Sequence, residues 1–138
     1  MLDAGTPGYD LTSFLADAEA VVLIDSVKAK GAPGEVLVYG KEALLKKAPV
    51  LAMSPHEPGV REALLNAEFM GVAPKIVRLV GVIPGSVATG IGLTPEVREA
   101  VPAAVAQVVK ELAALGLRVA PRAPPTAPDL WWEKQPSR

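Results

Sequence analysis

The sequence predicts an α/β protein, with a twisted, mostly parallel sheet and helices on both faces in three layers. Three short runs rich in β-branched residues alternate with segments whose apolar residues recur every three or four positions. The chain has 138 residues, of which 50% are hydrophobic and 21% are charged, so it can bury the core of one domain. The alternation of these segments favours an open α/β sheet.

The first half of the chain starts with helical spacing and continues into strands. Its predicted elements are a helix, a strand, a second strand and a short helix, over residues 9–19, 20–24, 35–39 and 41–47. The run at 20–24 is apolar on both faces, which is typical of a central strand covered from both sides. It ends at Asp25, and glycine, proline and lysine predict a loop over 26–34.

The second half contains the longest predicted helix. Its predicted elements are an extended apolar piece, a helix, a strand and a long helix, over residues 50–53, 60–70, 75–83 and 94–115. Gly71 and Gly116 are predicted to end the two helices. Thr94 followed by Pro95 predicts a hydroxyl N-cap, and Pro102 is predicted to kink the long helix.

We assign residues 1–118 to the α/β domain and residues 119–138 to a flexible tail. Five of the 14 prolines of the chain lie in this tail, from Pro121 onward. The tail also holds Trp131 and Trp132, which form either a solvent-exposed end or a docking handle for a partner. The exposed end is the simpler interpretation.

Composition excludes several classes of function. The formal charge of −1 provides no excess of positive charge for nucleic acid. The chain has no cysteine, which excludes disulfides, thiolate zinc sites and a cysteine nucleophile, and it has a single histidine. Its apolar runs are far shorter than the ~20 residues that a membrane span needs. We therefore expect a cytoplasmic protein that binds neither nucleic acid nor membranes.

Asp25 and His56 are the candidate metal ligands. Each follows an apolar extended segment, and ligands of open α/β sheets bind beyond the carboxyl ends of strands. A carboxylate with an imidazole suits first-row divalent metals, including nickel and zinc. A third ligand has to come from elsewhere, with Asp3 and Glu57 as weak candidates. Alternatively, Asp25 caps a loop and His56 is a polar turn residue.

A serine-protease triad of Ser54, His56 and Asp25 receives little support. The chain contains no G-x-S-x-G elbow, and Ser54-Pro55 does not form a strand-to-helix nucleophile turn. The chain also lacks G-x-G-x-x-G and Walker patterns, so nucleotide binding is disfavoured.

Six stretches of the chain resemble the hydrogenase maturation proteases in order and spacing, over about residues 3–116. They are Asp3-Ala4-Gly5-Thr6-Pro7-Gly8, Val22-Leu23-Ile24-Asp25, Pro33-Gly34, Met53-Ser54-Pro55-His56-Glu57-Pro58-Gly59, Gly81-Val82-Ile83-Pro84 and Leu93-Thr94-Pro95-Glu96-Val97. Each motif is weak alone, and the ordered set is fairly specific.

The resemblance implies a nickel-dependent endopeptidase on a twisted, mostly parallel sheet. It implies one cut near the C-terminus of the large-subunit precursor of nickel–iron hydrogenase, after nickel has been inserted. By resemblance, Asp25 and His56 stand where two of three metal contacts lie, and Gly5 and Thr6 contact the substrate. Nickel is then carried by the substrate, and the matched motifs assign no catalytic base.

One departure from the family pattern leaves the function open. The family begins with a glycine-rich strand and turn, G-x-G-N followed by acidic residues, which supplies the third metal contact. Neither this motif nor its strand–helix unit has a counterpart in the chain. Either the protein continues upstream, or it is a short form that binds the hydrogenase subunit without cutting it. A third alternative is an unrelated α/β protein in which Asp25 and His56 are structural.

Overall fold

The fold is that of a computed structural model, which describes residues 2, 4, 11–46, 50–51, 59–88 and 90–125. Within these residues the elements are α1 (Leu11–Leu15), β1 (Ala20–Lys28), β2 (Val36–Gly40), α2 (Lys41–Lys46), β3 (Val50–Leu51), α3 (Val60–Phe69), β4 (Ile76–Val82) and α4 (Pro95–Ala114). The predicted alternation of helices and strands is confirmed. Of the helices described, none combines the length and the apolar content that crossing a bilayer demands.

The sheet has the strand order β2-β4-β1-β3 and is mixed in direction. β1 and β4 are parallel and pair from Ala20 opposite Ile76 to Ser26 opposite Val82. β2 is antiparallel to β4, and β3 is antiparallel to β1 at Val27 and Lys28. The α/β class is therefore confirmed, whereas the predicted, mostly parallel direction of the strands is wrong.

The direction of β2 follows from the length of the connection before it. A parallel crossover needs a dozen or more residues, and only residues 29–35 join β1 to β2. The chain therefore turns back and adds β2 to the far side of β4. By contrast, α2 and α3 follow β2 in sequence before β4 begins. The chain between β1 and β4 is therefore long enough to cross over and add β4 parallel to β1.

The first face of the sheet carries the buried core. α1, α2 and α3 cover it, and its largest fully buried side chains include Leu15, Leu44, Leu64, Leu79, Val27 and Val77. Burying each such side chain stabilises the fold by roughly 1.5–3 kcal/mol. We call this surface the closed face.

The second face is covered by α4 alone. Ala100 and Ala104 are buried because their small side chains let the helix approach the sheet, whereas Val101 and Val105 remain 43% and 55% exposed. Arg78 of β4 reaches α4, with its Nε 3.3 Å from Oε2 of Glu111. We call this surface the open face. Helices on both faces make three layers, as predicted.

Two predicted boundaries are wrong, and both have a local cause. The first strand does not end at Asp25, because Ser26 pairs with Val82 and Val27 is fully buried, so β1 continues to Lys28. The first helix is shorter than predicted, because Asp17 takes a φ of 60° and turns the chain after Leu15. Aspartate tolerates this left-handed conformation better than most residues.

The ends of the two longer helices agree better with the sequence. Gly71 and Gly116 follow α3 and α4 with φ of 72° and 81°, as predicted. Thr94 occupies the N-cap of α4 and Pro95 its first position, but the hydroxyl makes no capping bond. In the described part of the chain, Oγ1 of Thr94 is a buried oxygen without a hydrogen-bond partner.

Candidate metal-contacting site

Asp25 lies near the carboxyl end of β1, between the two layers of helices. Strand alternation puts its side chain on the same face as Leu23 and Val27, which is the closed face. Gly81 of β4 is its partner in the parallel register. A Cβ at Gly81 would lie 2.5 Å from Cγ1 of Val27, so the close packing of Val27 beside Asp25 requires glycine there.

The carboxylate of Asp25 is half-buried and held by the next residue. The backbone N–H of Ser26 donates a hydrogen bond of 2.6 Å to its Oδ1. Burial raises the pKa of Asp25 above its ordinary value, and the hydrogen bonds from Ser26 partly offset this increase. A carboxylate that is partly desolvated in this way gains more from a nearby cation than an exposed one does.

A large groove opens beside Asp25 on the open face. It lies between β1, the loop that follows β4 and the inner side of α4, with a volume of about 720 Å³. We call it the α4 groove, and its lining includes Ile24, Asp25, Val82, Val97, Val101 and Val105. Most of these side chains are apolar, so the groove suits an apolar chain segment better than a small polar metabolite.

Only Asp25 among the predicted site residues lies in the described part of the chain. His56 and Ser54, together with Glu57, fall in 52–58, outside the described residues. Asp3, Gly5 and Thr6 also fall outside it, as do Trp131 and Trp132. The metal and substrate roles of these residues therefore remain predictions. Within the described ranges, no three histidine, aspartate or glutamate side chains are grouped closely enough to hold a metal.

The segment that contains His56 is tethered at both ends by described residues. Leu51 pairs with Val27, two positions from Asp25, and Gly59 is the N-cap of α3. Val60, the first residue of α3, belongs to the buried cluster that also contains Val27 and Ile83. Val27 is the next-to-last residue of β1, and Ile83 directly follows β4. Leu51 therefore lies toward the end of the sheet where Asp25 is found. α3 begins toward the same end, because its other end leads to Val72, whose carbonyl accepts a hydrogen bond from the N–H of Asp17 just before β1.

The sequence reasoning missed the α4 groove. Its walls come from β1, the loop at 84–94 and α4, which no local motif connects. One signal was present, because Val97, Val101, Val105 and Val108 recur at helical spacing along the inner side of α4. That spacing predicts a buried stripe, and the structure leaves it partly uncovered.

Comparison with known proteins gives a consistent result. The family model HycI, hydrogenase maturation protease, matches residues 1–111. The hydrogenase 2 maturation protease of Escherichia coli K12 is 36% identical over 126 residues, which are 88% of this chain and 74% of that protein. A hydrogenase expression/formation protein, HupD of Rhodobacter capsulatus, is 32% identical over 86% of this chain and 57% of its own length.

Solved structures agree with the sequence comparisons. The hydrogenase maturating endopeptidase HybD from E. coli has a TM-score of 0.75 and 36% sequence identity. That match covers 88% of this chain and 75% of the solved chain. A solution structure of an endopeptidase from E. coli gives a TM-score of 0.77 at 35% identity, over 89% of this chain and 76% of that one.

Proposed function

The chain belongs to the hydrogenase maturation protease family, and from that premise we propose that it is an endopeptidase of hydrogenase maturation. Its substrate is the large-subunit precursor of a nickel–iron hydrogenase. It removes the C-terminal extension of this precursor after nickel has been inserted. The cytoplasm is the compartment that we expect for this reaction.

The observation that carries this proposal is the position of Asp25. It is a partly desolvated carboxylate near the carboxyl end of a strand that pairs in parallel with β4. The family match over residues 1–111 includes both Asp25 and His56. Carboxylate oxygen and imidazole nitrogen form a donor set that fits nickel. The nickel is bound to the precursor, so the protease recognises a metal ion that is part of its substrate.

The role of Asp25 is to orient the nickel-loaded precursor. The Ser26 N–H holds one carboxylate oxygen, which fixes the plane of the carboxylate before the substrate arrives. Preorganisation of this kind reduces the free energy spent on ordering the site during binding. The nickel, when bound, withdraws electrons from a peptide carbonyl or a water molecule placed next to it.

His56 is the second proposed contact. The tethers at Leu51 and Gly59 support its approach to Asp25, because five residues of extended chain span at most about 17 Å. The tether at Gly59 leads into Val60, which belongs to the buried cluster of the closed face, and strand alternation puts the Asp25 side chain on the same face. A neutral imidazole is the form that binds metal. Gly5 and Thr6 are proposed to contact the substrate peptide.

A second candidate function is recognition of the precursor without cleavage. The chain spans 74% of the E. coli relative and 57% of the R. capsulatus relative, so parts of both relatives have no counterpart in it. If one of those parts supplies the third metal contact, this chain binds the precursor and leaves it intact.

A processing assay separates the two functions. Nickel-loaded precursor is incubated with the protein and its mass is followed over time. The wild type is expected to shorten the precursor, and Asp25→Asn and His56→Ala are each expected to slow cleavage at least ~100-fold. Glu19→Gln, an exposed carboxyl just before β1, is the matched control and should cleave normally. Stable association without cleavage by the wild type would establish the binding function. Normal cleavage by both site variants would refute the site.

A further inference from the structure

Asp25 and Ser26 are consecutive residues of β1, so their side chains leave the strand toward opposite faces of the sheet. The backbone N–H of Ser26 nevertheless donates a hydrogen bond of 2.6 Å to Oδ1 of Asp25. The hydroxyl of Ser26 also hydrogen-bonds this carboxylate. The carboxylate of Asp25 therefore lies back against the strand that carries it, next to both polar groups of the following residue.

The sheet fixes the position of these two donors. Ser26 pairs with Val82 in the parallel ladder between β1 and β4, one position after the pair of Asp25 with Gly81. The next residue, Val27, is fully buried and pairs with β3. Ser26 therefore cannot follow the Asp25 side chain without breaking strand pairing. The hydrogen bonds from Ser26 restrict the rotation of the carboxylate instead.

The two oxygens of the Asp25 carboxylate are therefore not equivalent. Each oxygen of a carboxylate can accept hydrogen bonds or bind a cation. The N–H of Ser26 occupies Oδ1, and a hydrogen bond to a charged oxygen is stronger than one to a neutral oxygen. Binding a cation with both oxygens would require this bond to break, whereas binding it through Oδ2 leaves the bond in place. Contact through one oxygen is the favoured arrangement.

We propose that Ser26 is a positioning residue, which holds Oδ1 of Asp25 and thereby presents Oδ2 alone to the nickel of the precursor. This inference rests on the proposed function, in which Asp25 contacts that nickel. Its consequence is that recognition of the nickel depends on a serine hydroxyl that does not touch the metal. Removing a group that orients a metal-contacting side chain typically reduces metal affinity about 10–100-fold.

Calorimetry with nickel-loaded and nickel-free precursor tests this inference, because the ratio of the two affinities isolates the contribution of the metal. Ser26→Ala removes the hydroxyl, keeps the backbone N–H and should reduce this ratio about 10-fold. Ser26→Thr keeps the hydroxyl and should retain most of the ratio. A purely structural role of Ser26 would weaken the binding of both forms of the precursor equally. Ser13→Ala, at an exposed serine of α1, is the matched control and should leave the ratio unchanged.

The same measurement shows whether Ser26 acts through Asp25. Adding Ser26→Ala to Asp25→Asn should cause little further loss of the affinity ratio. An equal proportional loss with and without Asp25→Asn would contradict the inference, because Ser26 would then act independently of Asp25. An unchanged ratio in Ser26→Ala, together with a loss in Asp25→Asn, would overturn the inference and leave the proposed function intact. Equal affinity of the wild type for both forms of the precursor would overturn the proposed function and the inference with it.

Discussion

The two faces of the sheet differ in how completely they are covered. On the closed face, α1, α2 and α3 bury Leu79 and its neighbours without residual exposure. On the open face, α4 packs through alanines, and valines such as Val101 keep 43% of their surface exposed. The same strands serve both faces, so the difference comes from the helices. It shows that the closed face contributes more buried apolar surface than the open face, where only part of the apolar surface of the described residues is covered.

Asp25 lies where these two surfaces meet. Its side chain alternates onto the closed face, whereas its strand also forms one wall of the α4 groove. The packed core therefore supports the Asp25 carboxylate, and the strand segment that carries it also borders the α4 groove. This arrangement is typical of binding sites, in which a packed scaffold fixes a few polar groups.

The largest expected effect is a difference in stability between the two faces. Leu79→Ala removes a fully buried side chain and should lower the free energy of unfolding by about 3 kcal/mol. Val101→Ala should cost less than about 1 kcal/mol, because nearly half of that side chain is already exposed. Urea denaturation measures both values. Equal losses would contradict this difference between the two faces.

The contact of Gly81 with Val27 predicts the next largest effect. Gly81→Ala should destabilise the protein by about 1–3 kcal/mol, because the added Cβ would lie 2.5 Å from the Val27 side chain. In a Val27→Ala background the same change should cost much less, since the clashing methyl groups are gone. A double-mutant cycle by urea denaturation gives this difference. Additive losses in the free energy of unfolding would mean that a side chain at position 81 does not clash with Val27.

A smaller effect is expected from the ion pair that ties α4 to the sheet. Arg78 and Glu111 should show a coupling free energy of about 0.5 kcal/mol in a double-mutant cycle, because the Glu111 side chain is mostly buried. The coupling should weaken in 1 M salt. Lys46 and Glu42 on α2 are the control pair, with side chains 79% and 89% exposed, and should couple less. A larger coupling free energy for Lys46 and Glu42 than for Arg78 and Glu111 would show that the Arg78–Glu111 ion pair does not stabilise the contact between α4 and the sheet.

The smallest expected effect is the pH dependence contributed by Asp25. Burial raises its pKa in the folded protein, so the folded state holds the proton more tightly than the unfolded chain. Stability from this group is therefore lost as pH rises from the ordinary value near 3.9 through the raised value. Asp25→Asn should lose less stability than the wild type between pH 4 and pH 7. Urea midpoints of both proteins at these two pH values test this. An equal change in midpoint for the wild type and for Asp25→Asn would contradict it.

The sequence predicted the interior of the fold better than its edges. β4, α3 and α4 were predicted within a few residues, because their apolar spacing is long and regular. The continuation of β1 through Ser26 was missed, since a polar residue gives no strand signal until its partner Val82 is known. The direction of β2 was missed because it depends on the length of a connection rather than on the strand's own residues.

For the site, residue chemistry was predictable and shape was not. Asp25 stands out in the sequence because a carboxylate follows five apolar residues. The α4 groove unites residues from β1, the loop after β4 and α4, whose proximity exists only in the fold. The roles of His56, Gly5 and Thr6 stay predictions, because these positions lie outside the described residues.

The central claim is that Asp25 and His56 act together on the nickel of the precursor. The most direct measurement compares the affinity of the protein for nickel-loaded and nickel-free precursor by calorimetry, in the wild type, the two single variants and the double variant Asp25→Asn with His56→Ala. We predict tighter binding of the loaded precursor by the wild type, most of which is lost in either single variant, with little further loss in the double variant. An unchanged preference for the loaded precursor in all three variants would contradict the claim.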